Sequence, residues 1–338
     1  MATILAINAP TRLNALLPGW PLAAGFVGLA VAAAVLAGAV PVGFSIAVVF
    51  LFAGPHNWLE ARYVLGRLPA RAGKLWGFFL TSAIGTLGLA AGFAALPLIA
   101  QLLPSGRSAA VLYAGWNTLF VGWVALLVWM RSRTNPRFDG GWVGPAALML
   151  IAGVWLSPVA LNYLLVYAHP LLALWFLDRE LARSRQGWLP LYRSSLLCIP
   201  LLLGLLWWHL AGAPNLPGDD PLTLTIARHA GAGFLSGVSS HFLVAAHTFL
   251  ETVHYGAWVL LIPLIGLRSA PWDLTTIPAA RRGMRWKAGV GIVLACGLVT
   301  VAVLWAAFTL DFGTTRTVYF TVAMLHVLAE IPFLLRTL

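Results

Sequence analysis

The chain has 338 residues, of which 60% are hydrophobic and only 9% charged, with a mean hydropathy of +0.87 and a formal net charge of +11. A soluble domain carries about 25% charged residues, so this composition excludes a water-facing globular protein and a nucleic-acid partner for the positive charge. Apolar runs of about 20 residues recur without period-2 alternation, which excludes an outer-membrane barrel and predicts an all-α, polytopic transmembrane helix bundle forming one integral-membrane domain over 1–338.

The opening stretch, MATILAINAPTRLNAL, lacks the order of basic, apolar and small-residue regions of a cleavable signal, so the first span is expected to be retained. Ten spans follow, at about 17–40, 42–66, 74–103, 107–131, 141–159, 160–183, 190–212, 236–266, 287–310 and 316–337. The fifth and sixth are nearly continuous through SPVALN. The stretch 213–235 is expected to be an external loop with a short interfacial helix. With the N-terminus inside, 18 of the 21 Lys and Arg fall on one side, and only Arg107, Arg228 and Arg316 on the other. That bias predicts cytoplasmic N- and C-termini. Cys198 and Cys296 lie in apolar runs and read as small packing residues. Gly85, Gly88 and Gly92 suit close helix packing, and no P-loop, dinucleotide-binding or zinc-finger motif occurs.

The acids carry the chemistry. Asp139, Asp219, Asp220, Asp273 and Asp311 fall in predicted loops or at span ends. Asp178 and Glu180 sit among Arg179 and Arg183 near the end of the sixth span, where interfacial pairing accounts for them. The other three each follow a histidine by four residues: His56/Glu60 in GPHNWLEARY, His247/Glu251 in AHTFLETVHY and His326/Glu330 in LHVLAEIPF. Spacing of i,i+4 puts both side chains on one helix face. His254 extends the stripe of His247, and His169 lies mid-span in VYAHPLLALWF.

All four histidine-bearing spans are even-numbered and so run in the same direction, with the histidines in their middle portions. An ionised carboxylate at the bilayer centre costs at least about 2.5–3.5 kcal/mol. One His/Glu pair can neutralise itself on its own helix, but so many at matched depth are most economically explained by one shared site. The expected metal ligands are His56, Glu60, His169, His247, Glu251, His254, His326 and Glu330, with Glu60, Glu251 and Glu330 doubling as catalytic groups. His209 and His229 are assigned to the interface, and His241 is a weaker ligand. Asn57, Tyr63, Asn162, Tyr163 and Tyr255 are candidates to orient the imidazoles.

Imidazole with carboxylate suits iron, manganese or zinc. The expected cofactor is ferrous iron, in a one- or two-ion centre, ahead of manganese or zinc. The expected partners are a lipophilic small-molecule substrate and membrane lipids. A non-haem iron oxygenase is the first reading, and a proton- or metal-coupled transporter using the same cluster is the alternative. A haem electron carrier comes third, because bis-histidine haem needs no glutamate beside each imidazole.

At GPHNWLE the chain is similar to the bacterial integral-membrane β-carotene central-cleavage dioxygenases, the bacteriorhodopsin-related protein family. That family carries a Pro-His pair near the end of an early span, with an acid four residues after the histidine. His56 matches the family's histidine, Glu60 stands for its aspartate, and Asn57 stands where the family prefers glycine. The resemblance implies a polytopic helical protein of a bacterial-type inner membrane, iron held by intramembrane histidines including His56, and cleavage of a carotenoid or other polyene with dioxygen.

Overall fold

A computed structural model of the chain describes residues 19–69, 73–135, 139–267 and 270–337; Arg12, Arg71, Arg137 and Arg268 of the charge count, and the opening stretch, lie outside them. All regular structure among the described residues is helical. In chain order the helices are α1 (Trp20–Ala39), α2 (Pro41–Arg67), α3 (Trp76–Gln101), α4 (Gly106–Thr134) and α5 (Val143–Leu156). Next come α6 (Ala160–Ala168), α7 (Leu172–Ser184), α8 (Leu189–Ser195) and α9 (Cys198–Leu210). The last five are α10 (Pro221–His229), α11 (Ser240–Gly256), α12 (Ile262–Gly266), α13 (Met284–Leu310) and α14 (Phe312–Thr337).

Among the described residues, nine helical segments are long and apolar enough to cross a membrane. The predicted fifth span departs from this. It is the 14-residue α5, about 21 Å at 1.5 Å per residue, which falls short of a hydrocarbon core about 30 Å thick. SPVALN, where the fifth and sixth spans were expected to divide, breaks the helix at Ser157.

Small side chains set how closely the helices approach. Phe26, Ala30, Ala33 and Ala37 form one buried stripe of α1 in a core shared with Phe249 and Val253 of α11. In the α3–α4 hairpin, a methyl on Gly85 would lie 1.9 Å from the Trp123 indole nitrogen. Both Trp123 and Trp116 donate their indole N–H to α3 carbonyls, at Thr81 (3.1 Å) and Leu89 (3.0 Å). Gly92 faces Trp116 at ordinary contact distance, whereas Gly88 faces open space.

Four segments gather around one axis: α2, the α6–α7 pair, α11 and α14. They run in the same direction. Asn57 and Glu60 of α2 meet Tyr319 and Glu330 of α14 respectively, and Tyr167 and Phe176 meet Leu243 and Trp258 on the α11 side. Each of the four is irregular near this axis. Pro55 lies inside α2 and Pro332 inside α14. The α6–α7 pair is joined by a 3-10 turn over His169–Leu171, and α11 passes into a π-turn over Ala257–Leu261.

The acid pairs expected at the interface are present. Glu180 accepts from Tyr63 at 2.9 Å and pairs with Arg67 and Arg183. Asp178 pairs with Arg193 at 2.7 Å and with Arg179.

Candidate metal centre

His56, His254 and His326 each present a ring nitrogen, and these atoms all lie within 4.8 Å of one another. Two nitrogens on one ion at about 2.1 Å each are at most about 4.2 Å apart, so the three are within a small adjustment of a coordination sphere. His169 lies outside this group of converging atoms, but its ring packs against two of the three. Centroid distances run 5.5 Å from His56 to His254, 4.8 Å from His254 to His169, 5.2 Å from His169 to His326 and 5.3 Å from His326 back to His56.

The helix irregularities orient these rings. Nδ1 of His56 donates to the Phe52 carbonyl at 2.9 Å, one turn back beside Pro55. Nδ1 of His254 donates to the carbonyl of Pro170 at 3.2 Å, in the 3-10 turn. Nδ1 of His169 stands 3.1 Å from Oε2 of Glu330. The two hydrogen bonds fix the tautomer of His56 and His254 that leaves Nε2 as a lone-pair donor. Nε2 of His56 and of His254 are buried without partners, as are both ring nitrogens of His326.

The carboxylates stand back from this group. Among the described residues no carboxylate oxygen joins the cluster of converging ligand atoms. Glu330, 1% exposed, bears on His169, and Glu60 lies close enough to Glu330 for each to feel the other's charge. Because the helices are parallel and the histidines share a level, Glu60 and Glu330 fall one turn to the C-terminal side. Glu251 and His247 fall to the N-terminal side, 3.9 Å apart. Tyr255 donates to Glu251 at 2.9 Å while its ring packs 4.3 Å from that of His56.

A cavity of about 150 Å³ separates the histidine level from the N-terminal-side level, with Glu251, Tyr255 and Tyr319 in its wall. His229, assigned from sequence to the interface, lines the same cavity, its ring 5.1 Å from that of His247. α10 brings it there. Asp220 caps that helix, and bonds from the Thr223 hydroxyl and N–H hold the Asp220 carboxyl below the usual carboxylate range. The helix buries Thr223, Ile226 and Ala227, a helical period that marks a folded-back segment. Arg316, counted only as a loop charge, is 3% exposed and lies 4.6 Å over the Phe320 ring. It is within electrostatic reach of Glu251 and His247.

Of the expected orienting residues, Asn57 donates to Tyr319 at 3.3 Å and Asn162 lines the cavity. Tyr63 is spent on Glu180, and Tyr163 donates to the carbonyl of Arg228 at 3.3 Å.

The chain matches no protein-family model, no curated protein and no solved structure. Fold and site together define a class: a polytopic helical membrane protein with a four-histidine cluster in its interior, flanked along the helix axis by buried acids.

Proposed function

We propose that His56, His169, His254 and His326 hold one divalent first-row metal ion, iron, and that the protein is a non-haem oxygenase acting on a lipophilic substrate. The observation that carries this reading is the convergence of four imidazoles beside a largely apolar cavity, with unpartnered Nε2 atoms on His56 and His254. Imidazole suits iron, copper, nickel and zinc alike. Iron is preferred for the resemblance at GPHNWLE, which also favours a carotenoid or other polyene substrate and a bacterial inner membrane. The parallel course of the four segments is in keeping with the alternation of ten segments, and the cytoplasmic side of the termini rests on the Lys and Arg count.

Bound there, iron would supply the activation of dioxygen. The chain's own residues would do the rest. Four neutral imidazoles leave the ion's charge uncompensated, and Glu330 and Glu60 offset it from behind His169. Glu251, fixed by Tyr255, holds a proton site across the cavity, and the surrounding helices exclude water. A cavity of about 150 Å³ takes a benzene-sized molecule but not a porphyrin, which weighs against the haem reading.

Elemental analysis of the purified protein tests the proposal. Wild type should carry about one iron per chain, lost in His254→Ala and retained in His247→Ala. A metal-free wild type after expression with ample iron, manganese and zinc would overturn it in favour of the proton-coupled transporter.

A further inference from the structure

The histidine cavity is too small for the whole of a long lipophilic substrate, and a second cavity adjoins it. This one, about 630 Å³, lies between α2, α13 and α14, with Gly54, Trp58, Gly297, Val301, Val318 and Val322 in its walls. Its size is that of a pocket for a drug-sized ligand. Three residues line both cavities: Tyr319, Ala323 and His326. They are successive turns of one face of α14, so this stripe is the partition. Tyr319 is pinned at one end by Asn57 and by its own bond to the Ala53 carbonyl at 3.4 Å. His326 is one of the converging ligands. Between them on this stripe stands the small side chain of Ala323.

The chemistry of the larger cavity is uniform. No Asp, Glu, Lys or Arg lines it. The Thr300 hydroxyl is bonded to the Cys296 carbonyl and the Asn57 amide to the Ala53 carbonyl, which leaves the walls largely apolar, with the unpartnered Asn57 Oδ1 and the His326 ring on the side of the histidine centre. Its rim is on the outer surface of the bundle, where Val293 is 60%, Val303 61% and Val322 60% exposed. It therefore opens sideways, toward lipid.

We propose that this cavity seats one arm of a long, neutral, apolar chain, with Ala323 as the threshold over which the reacting segment meets the histidine centre. This rests on the oxygenase reading and adds to it where the substrate enters, which end group the arm excludes (a charged one) and which residue limits its passage. An acyl chain of the bilayer is the competing occupant, and continuity with His326 is what favours the substrate.

The test uses the metal-loaded protein in lipid nanodiscs. A headgroup-free hexadecyl diazirine is photolysed with and without equimolar β-carotene as the long neutral polyene, and the labelled residues are mapped. The expected result is label on α13 and α14 around Val301, Val318 and Val322 that the polyene removes, while label on outward residues of α5 and α9 is unchanged. Thr300→Trp, which fills the cavity away from the centre, should abolish that protection and raise KM for the polyene about tenfold or more. Ala323→Trp should keep the protection and the iron but lose turnover. Label that the polyene does not displace, together with a wild-type response in Thr300→Trp, would overturn the inference and assign the groove to bilayer lipid. The iron content reports separately on the oxygenase reading, since protection by the polyene requires no turnover.

Discussion

At the scale of single residues, the carboxylate behind His169 is the most informative position. Glu330 Oε2 stands 3.1 Å from His169 Nδ1, where a carboxylate would polarise the ring and offset the charge of an ion held by the proposed ligands. Removal of such partners typically costs about 10–100-fold in metal affinity, and Glu330→Gln is expected to fall in that range while retaining the fold. Competition with a graded chelator measures it, and an unchanged affinity would remove Glu330 from any part in the centre. The sequence made the four histidines legible, because i,i+4 spacing and depth in even spans both show without a structure. It also placed Glu60, Glu251 and Glu330 in the ligand set, whereas in the structure their oxygens lie outside the group of converging ring nitrogens. Spacing says that two side chains share a face, but not which of them shares a level with the neighbouring helices.

At the scale of elements, the long spans were legible from apolar length alone and the shortness of α5 was not, because the apolar run over 141–159 extends past the helix, which stops at Leu156. The glycines make a sharper comparison. Gly85, Gly88 and Gly92 look equivalent in sequence, yet a methyl on Gly85 meets the Trp123 indole at 1.9 Å and one on Gly88 meets nothing within 4 Å. Gly85→Ala must push Trp123 off its bond to Thr81, and overpacking of this kind costs about 1–3 kcal/mol. Gly88→Ala should be neutral or stabilising by up to about 1 kcal/mol, from helix propensity. Thermal unfolding in detergent of the two variants side by side decides the matter, and equal midpoints would mean that Trp123 does not pack as described. Two prolines have a local use here. Pro55 and Pro170 each flank a clustered histidine, and each lies beside or supplies the carbonyl that takes an Nδ1 proton.

At the scale of the molecule, the centre ties together segments that are distant in the chain and adjacent only in the fold. Lateral arrangement was the part no pattern in the sequence could give, since depth is written in each span and neighbourhood is not. An ion that binds the folded state alone stabilises it by about 2.7 kcal/mol at a hundredfold excess over its Kd. Stripping the metal with a chelator is therefore expected to lower the unfolding midpoint of wild type. The same treatment should leave His254→Ala unaffected, and an equal response in both would show that the chelator acts elsewhere.

The order of the ligands along the chain has a consequence for biogenesis. His56 belongs to the second helix and His326 to the last, and His169 lacks its Glu330 contact until that last helix is in place. A nascent chain stalled before α14, or one with that helix left outside the bilayer, presents an open three-imidazole site with an unbacked third ring. Retention of the ion would then depend on the insertion of α14, and chains that fail to retain it would be the ones with that helix outside the bilayer.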